Sequence, residues 1–254
     1  MKSRGVLVPA ALSVVFAAAA VFLARAADAA RSPEARAARG APPLGIVNVL
    51  AVDLLWLRAD GLFAANRWPE MTAAYEMAGR LEPRLAAAFE YRGFHLAYNL
   101  AGNAASDEDR DRWVVEGIEV FDEGLARNPS STDLRGWLAH ALFERTRRWP
   151  SLVPRLKSKR GRDPWDESAD ILEQAVKAEP GYGLNVIRLT DVLDARGKRS
   201  LAAGKGAPCP GAAADFRRAA EVLRAFAPSV PPDARPALDA LVRSFEEQER
   251  AAGK

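Results

Sequence analysis

Three ten-residue stretches of this chain share one pattern when their prolines are aligned. They are residues 74–83 (AYEMAGRLEP), 120–129 (VFDEGLARNP) and 171–180 (ILEQAVKAEP). Each has an apolar residue, then an aromatic residue or leucine, then a small residue three positions later, and each ends in proline. A helix face that recurs at nearly regular intervals is typical of stacked helical hairpins. The pattern therefore predicts a helical-repeat architecture.

The composition favours an all-α fold. Of the 254 residues, 49% are hydrophobic, which is enough to form a real core and argues against global disorder. Alanine and arginine are abundant and favour helix, and no alternating run of β-branched and aromatic residues indicates a strand. The net charge of +3 neither requires nor excludes nucleic acid as a partner.

Apolar periodicity and chain breakers predict nine helices. Their expected bounds are 46–66, 68–81, 84–100, 108–126, 132–147, 166–177, 184–195, 212–226 and 232–251. Gly197 is expected to stop the seventh helix, and residues 149–163 and 200–211 are expected to be loops. The last helix is highly charged, which suits the terminal cap that a repeat stack requires.

The helix pattern resembles the tetratricopeptide repeat, in which small and large apolar residues keep fixed offsets in a helix pair that proline closes. The matching positions are Ala59, Leu62, Tyr75, Ala78 and Pro83; Gly93, Leu96, Phe121, Gly124 and Pro129; Leu138, Ala139, Leu142, Leu172, Ala175 and Pro180; and, more weakly, Leu189, Leu193, Ala219 and Leu223. The resemblance covers roughly residues 46–226. It implies a right-handed solenoid of antiparallel helix pairs.

The spacing of the units departs from that family. The closing prolines are 46 and 51 residues apart, whereas the family repeats every 34 residues, roughly. The surplus falls between the two helices of a pair, at 101–108 and at 149–163. Because these turns emerge on the same edge of a stack, we expect the insertions to form one enlarged ridge.

The N-terminus carries an export or membrane signal. Lys2 and Arg4 precede Val6 to Ala24, a run without a charge. We expect residues 1–30 to be a membrane anchor or signal segment, residues 31–45 a linker, and residues 46–254 the repeat domain. An uncleaved anchor predicts a single-pass protein of a bacterial inner membrane whose repeat domain faces the periplasm. Cleavage of the signal would instead give a secreted or periplasmic protein.

The resemblance also implies a partner-binding groove lined by the first helix of each pair. The family's groove offsets fall on Trp56, Asp60, Phe63, Glu90, Phe94, Tyr98, His140, Phe143, Glu144 and Asp191, with Asp53 and Asp194 beside them. This acidic and aromatic set suits a protein segment that carries basic and apolar residues. The alternative is that the aromatic members pack within the core or between repeats.

A basic loop is the strongest local charge signal. Its residues are Arg145, Arg147, Arg148, Arg155, Lys157, Lys159, Arg160 and Arg162, with no acidic residue among them. Such a surface attracts phospholipid head groups, an acidic protein or nucleic acid, and an exported domain rarely meets nucleic acid. The alternative is a solvated mobile loop.

The sequence offers little for catalysis, metal binding or a cofactor. Cys209 is the single cysteine, and His95 and His140 have no second histidine or cysteine three or four residues away. Glu167-Ser168 matches the acid and serine of lytic transglycosylases only superficially, because the glycine-rich motif of that family is absent. We therefore expect a non-catalytic scaffold or adaptor that binds another envelope protein. The alternatives are an exported cell-wall enzyme or enzyme accessory, and an anionic-surface binder acting through residues 145–162.

Overall fold

The structure, a computed structural model, describes residues 45–204 and 207–253. Within these ranges the chain is built of helices and turns without a β-strand, which confirms the predicted all-α class. Residues 1–44, which include the predicted anchor and most of the predicted linker, lie outside the described residues. None of the helices in the described ranges combines the length and apolar character that a bilayer crossing requires.

The described residues form ten α-helices and two shorter helical segments. A π-helix, His95–Leu100, directly follows α3, and a 3-10 helix covers Ala227–Ser229. The α-helices are α1 (Gly45–Ala64), α2 (Trp68–Leu81), α3 (Ala86–Phe94), α4 (Asp107–Arg127), α5 (Thr132–Arg148), α6 (Leu152–Arg160), α7 (Pro164–Ala178), α8 (Gly183–Gly204), α9 (Pro210–Phe226) and α10 (Arg235–Ala252).

The chain divides into two compact units, with the boundary between Ala88 and Phe89. In the first unit α1 packs against α2. One cluster of their core is formed by Ala59, Leu62, Met71, Ala74 and Tyr75. A second cluster contains Val52 of α1, Ala78 of α2 and Ala88.

The second unit is a chain of helices in which each packs on its neighbours in sequence. The π-helix packs on α4, α4 on α5, α7 on α8, α8 on α9, and α9 on α10. Helix α5 also packs on both α7 and α8, so it sits at the centre of this network. The largest buried cluster lies between these helices and includes Phe143, Leu172, Leu189, Phe216 and Leu223.

The three aligned decapeptides form three equivalent helix ends. Helices α2, α4 and α7 each end two residues before the proline that closes their decapeptide, because proline lacks a backbone donor and disfavours a helical residue before it. In each case the amide between helix and proline donates to the carbonyl of the small residue four positions earlier, and the pairs are Glu82 to Ala78 (2.9 Å), Asn128 to Gly124 (2.8 Å) and Glu179 to Ala175 (3.0 Å). Tyr75, Phe121 and Leu172 are all buried.

Serine side chains cap two helices that begin at, or one residue before, the predicted positions. Ser106 precedes α4 and accepts a hydrogen bond from the Asp109 amide (3.1 Å), and acidic residues fill the first turn. Ser131 precedes α5 and accepts from the Leu134 amide (3.2 Å).

The sequence predicted that Gly197 would stop its helix. This prediction is wrong, since α8 continues to Gly204. A Cβ atom at Gly197 would lie 2.8 Å from Cε1 of Phe216, which is inside the van der Waals limit. Gly93 faces Phe121 in the same way, with a Cβ atom 2.6 Å from that ring. In both places the glycine has no side chain, so the phenylalanine ring of the neighbouring helix can pack directly against the helix backbone.

The predicted loop at residues 149–163 is wrong, because most of it is helix α6. Leu152 and Leu156 are four residues apart and fully buried, so one face of the helix is held against the body of the unit. Pro154 lies in the first turn, where a missing backbone donor costs nothing. Gly161 ends the helix with a positive φ of 74°, and its amide donates to the Lys157 carbonyl (2.8 Å).

Candidate functional site

A cavity of about 360 Å³ opens in the second unit. Its volume falls in the range of roughly 300–1,000 Å³ that is common for sites that bind small molecules. It is lined by residues of the π-helix, α5 and α8, namely Tyr98, His140, Phe143, Glu144, Arg145, Arg147, Arg188, Asp191 and Val192.

Helical spacing explains why α5 and α8 present these side chains together. On α5, His140, Glu144 and Arg147 follow the i, i+4, i+7 rule and therefore share one face. On α8, Arg188 and Asp191 are three residues apart and share a face in the same way. The cavity is thus formed where one polar face of α5 meets one polar face of α8.

The π-helix brings Tyr98 to the cavity. The amide of Ala101 donates to the carbonyl of Leu96, five residues earlier, so the turn holds one residue more than an α-helical turn. Helix α4 packs directly on this turn at Gly117, where a Cβ atom would lie 2.8 Å from the backbone nitrogen of Ala97. Inside the turn, Nδ2 of Asn99 donates to Nδ1 of His95 over 2.6 Å.

Aromatic rings form one wall of the cavity. The Tyr98 ring is stacked on Phe94, with centroids 4.8 Å apart, and on His140, with centroids 5.9 Å apart. Trp137 meets Phe94 edge to face at 5.2 Å. These contacts restrain the rings, because each is packed on at least one other ring of the cluster.

Two buried arginines lie against these rings. Arg145 and Arg188 are only 8% and 7% exposed. The guanidinium carbon of Arg145 lies 4.1 Å from the centre of the Tyr98 ring, and that of Arg188 lies 4.4 Å from the centre of the Trp137 ring. Ring faces therefore provide much of the electrostatic support for both cations.

Carboxylates give these two arginines little support. Arg145 has one distant ion-pair contact, with Glu144 at 3.9 Å. Arg188 has no ion pair in the part of the chain that the structure describes, and its Nη1 donates only a long hydrogen bond to Oδ1 of Asn185 (3.5 Å). Arg147, which is half exposed, forms a close pair with Glu144 (2.7 Å).

Burial controls the protonation of the cavity. Burial and then the nearby charges of Arg188, Arg145 and Arg147 lower the pKa of His140 to about 4, so its imidazole is neutral at pH 7. Burial also lowers the pKa of the Arg188 guanidinium and raises the pKa of the Asp191 carboxyl.

Two polar atoms in this lining are buried without a hydrogen-bond partner among the described residues. They are Oη of Tyr98 and Nε of Arg145. Buried polar atoms are normally paired, and leaving one unpaired costs about 1–3 kcal/mol. The cavity therefore has unused donor capacity next to two poorly paired cations.

Half of the predicted groove residues lie in this cavity, and half lie elsewhere. Tyr98, His140, Phe143, Glu144 and Asp191 line it, and Phe94 stacks directly behind Tyr98. Phe143 also packs in the core against Trp165, with ring centroids 5.1 Å apart. Glu90 lies earlier in the chain, on α3, where burial and then the charge of Asp133 raise the pKa of its carboxyl, and a hydrogen bond with Ser131 opposes that rise.

The other three predicted groove residues, Trp56, Asp60 and Phe63, belong to α1 in the first unit. The ring of Trp56 meets Tyr75 at 5.0 Å, and that of Phe63 meets Trp68 at 5.1 Å. In both cases the aromatic residue of α1 packs on a residue of α2. Trp56 is partly buried against the core of the first unit, whereas Phe63 is 48% exposed.

Sequence reasoning missed two residues that line the cavity, Arg188 and Val192, and also Trp137, on which Arg188 lies. The available signal for Arg188 was its position three residues before Asp191 on the same helix. The predicted groove was acidic, whereas the cavity contains three guanidinium groups and two carboxylates. The difference arises because aromatic faces allow Arg145 and Arg188 to be buried.

The residues of the predicted basic loop lie mainly on two helices. Arg145, Arg147 and Arg148 belong to α5, and Arg155, Lys157, Lys159 and Arg160 to α6. Acids from other helices pair with several of them: the partners are Glu119 for Lys159, Asp122 and Glu167 for Arg160, and Asp170 for Arg162. Acids on α4 and α7 therefore offset much of a charge run that is unbroken in sequence.

No protein-family model matches this chain, and comparison with curated proteins also gives no match. In the ranges that the structure covers, no three His, Cys, Asp or Glu side chains are grouped so that they could hold a metal ion. Function is therefore argued from the cavity's guanidinium, carboxylate and aromatic groups.

Proposed function

We propose that this chain is a non-catalytic, tetratricopeptide-like adaptor that holds a segment of another protein at the cavity between α5 and α8. The packing order of the second unit supports a right-handed solenoid of antiparallel helix pairs, because α5 packs on α4, α7 and α8. In such a stack, the first helix of each pair contacts its own partner and both neighbouring pairs. The π-helix, α5 and α8 would then be three successive first helices.

The observation that carries this proposal is an exposed apolar pair beside the cavity. Leu184 and Ile187 on α8 are 43% and 56% exposed. They precede Arg188 and Asp191, respectively, by four residues, so all four side chains lie along one side of the helix. Exposed aliphatic side chains next to a charged, aromatic-walled cavity are typical of a protein-binding surface.

The chemistry of the cavity supports recognition rather than catalysis. Its only imidazole, His140, stacks on Tyr98, and three guanidinium groups oppose its protonation. A general acid or base works best with a pKa near the working pH, and that of His140 is about 4. Hydrolysis of cell-wall material by the purified chain would overturn the non-catalytic role.

The partner belongs, in this proposal, to a bacterial envelope assembly. The apolar run within residues 1–30 supports an inner-membrane anchor with the helical domain in the periplasm. Anchoring confines the adaptor to the membrane surface and raises its effective concentration towards membrane-bound partners. A reporter enzyme that is active only in the cytoplasm, fused after Lys254, would contradict this topology if it were active.

The binding surface can be tested by quantitative capture from membranes with the full chain. The double substitution Leu184→Ser and Ile187→Ser removes both exposed aliphatic side chains, and we expect it to reduce the captured partner by about tenfold or more. Leu241→Ser is the matched control, because Leu241 is 44% exposed on α10. Equal capture by wild type and the double variant would contradict the proposed surface.

A further inference from the structure

The charges that line the cavity do not balance. Three guanidinium groups, those of Arg145, Arg147 and Arg188, face two carboxylates, those of Glu144 and Asp191. His140 is neutral at pH 7 and adds no charge. One positive charge is therefore in excess, and it resides with the buried arginines, since Arg147 is closely paired with Glu144. A buried cation without a counter-charge is costly, and an anion that entered the cavity would remove that cost.

Three neighbours hold the Arg188 guanidinium in place. It lies on the face of Trp137, and its Nη1 points to Oδ1 of Asn185. Asn185 is itself fixed, because its Nδ2 donates to the Thr132 carbonyl (3.2 Å). Any Cβ atom at Gly136 would overlap Oδ1 of Asn185 and lie 2.6 Å from Nη1 of Arg188. The cation is thus positioned before a ligand arrives, which lowers the entropic cost of binding.

Residues that line the same space carry hydrogen-bond donors without partners among the described residues. The hydroxyl of Tyr98 and Nε of Arg145 are buried and unpaired in the described part of the chain. Arg188 adds guanidinium N–H groups that make only one long hydrogen bond. A carboxylate has two oxygens that accept several hydrogen bonds, and it pairs with guanidinium groups in a bidentate geometry.

We propose that the cavity binds one carboxylate group, supplied by an Asp or Glu side chain of the protein partner, through Arg188 and Arg145. The source of this group rests on the proposed adaptor function. A carboxylate carries a single negative charge and so matches the single positive excess. A phosphate dianion would leave a negative excess beside Glu144 and Asp191, so the cavity selects the monoanion.

Small probes test the anion chemistry without a known partner. N-acetyl-glutamate N-methylamide presents the side-chain carboxylate, and N-acetyl-glutamine N-methylamide has the same shape without the charge. Each is titrated into the ¹⁵N-labelled full chain at constant ionic strength, alongside inorganic phosphate. We expect the glutamate probe to shift the indole N–H resonance of Trp137 saturably, and the glutamine probe to leave it unchanged. The Trp137→Phe variant assigns that resonance.

Variants of Arg188 test the site itself. Arg188→Gln removes the cation, and Arg188→Met also keeps an apolar stem on Trp137, which guards against a folding defect of the first variant. Both should weaken binding of the glutamate probe by about tenfold or more, since a charge-assisted bidentate pair is lost. Arg155→Gln is the matched control, because Arg155 is exposed on α6 and lies outside the cavity.

The possible results separate this inference from the adaptor function. Equal binding of the glutamine probe, tighter binding of phosphate, or unchanged binding by folded Arg188 variants would each overturn the carboxylate site. If that occurs while partner capture still depends on Leu184 and Ile187, the adaptor function stands and only the carboxylate site fails. If the glutamate probe binds but membranes yield no partner, the site stands and its assignment to a protein side chain fails.

Discussion

The guanidinium carbon of Arg188 on α8 lies 4.4 Å from the centre of the Trp137 ring on α5. This contact joins two helices that are distant in sequence, and it places a ring face against a cation that is 7% exposed. A ring face stabilises a buried cation by about 2 kcal/mol, whereas the desolvation of that cation costs several kcal/mol. Arg188 is therefore retained at a cost to the free protein.

That cost predicts that Arg188→Met stabilises the full chain. Methionine keeps an apolar stem on Trp137 and removes the poorly paired charge. We expect the free energy of unfolding to rise by about 1–2 kcal/mol, measured by urea denaturation at pH 7. A lower free energy of unfolding would show that the ring contact outweighs the desolvation cost.

Gly197→Ala tests the close approach of α8 and α9. The new methyl group would lie 2.8 Å from the Phe216 ring, so the helices or the ring must shift. We expect the free energy of unfolding to fall by about 1–2 kcal/mol, even though alanine favours helix. Gly61→Ala is the matched control: nothing lies within 4 Å of its new Cβ atom, and we expect a gain of about 0.5–1 kcal/mol.

The two histidines predict a loss of stability in acid. Burial lowers the pKa of His95 and of His140 to about 4, from an ordinary value of 6.5. Between these values the unfolded chain binds more protons than the folded chain, so stability falls as the pH is lowered from 6.5 to 4. In the double variant His95→Gln and His140→Gln, the melting temperature should fall less between pH 6.5 and pH 4 than it does in the wild type. An unchanged slope would contradict the assignment.

Glu90 predicts the opposite dependence. Burial, and then the charge of Asp133, raise the pKa of the Glu90 carboxyl to about 7 from an ordinary value of 4.5. Its contribution to stability is therefore complete below pH 4.5 and is lost as the pH rises through 7. Glu90→Gln should raise the melting temperature more at pH 8 than at pH 5. Glu247→Gln, at an exposed position of α10, should change it little at either pH.

We expect the ion pairs that Arg160 of α6 makes with two other helices to stabilise the fold. Its guanidinium contacts Asp122 on α4 (2.5 Å) and Glu167 on α7 (2.7 Å), and its side chain is 16% exposed. Arg160→Gln leaves both carboxylates without their cation, and we expect a loss of about 2 kcal/mol in the free energy of unfolding. Arg155→Gln on the same helix should stay within about 0.5 kcal/mol of wild type. Equal effects of the two substitutions would contradict this account.

Local rules explain what the sequence predicted well. A proline blocks helix formation at and just before its own position, so the ends of α2, α4 and α7 could be placed from Pro83, Pro129 and Pro180 alone. The predicted helix starts at 108 and 132 agree closely with the structure for an equally local reason, because Ser106 and Ser131 cap these helices through amides three residues later.

The errors have causes that lie far away in sequence. Gly197 has the usual signature of a helix end, and only the Phe216 ring on the next helix shows why glycine is needed inside α8. Pro154 and the basic residues around it suggest a loop. The segment is nevertheless the helix α6, because two of its leucines are buried and acidic residues of α4 and α7 pair with its basic residues. Burial of Arg188 depends on Gly136 and Trp137 of another helix, which no local pattern reveals.

The glycine–phenylalanine contacts also constrain how the chain can change through evolution. At Gly93–Phe121 and Gly197–Phe216, each ring occupies the space that a side chain on the glycine would need. A larger residue at either glycine requires a smaller residue at the facing phenylalanine, and a smaller residue at the phenylalanine alone leaves a void. The members of each pair should therefore covary in descendants of this sequence. The two contacts share no residue, so each pair can change without the other.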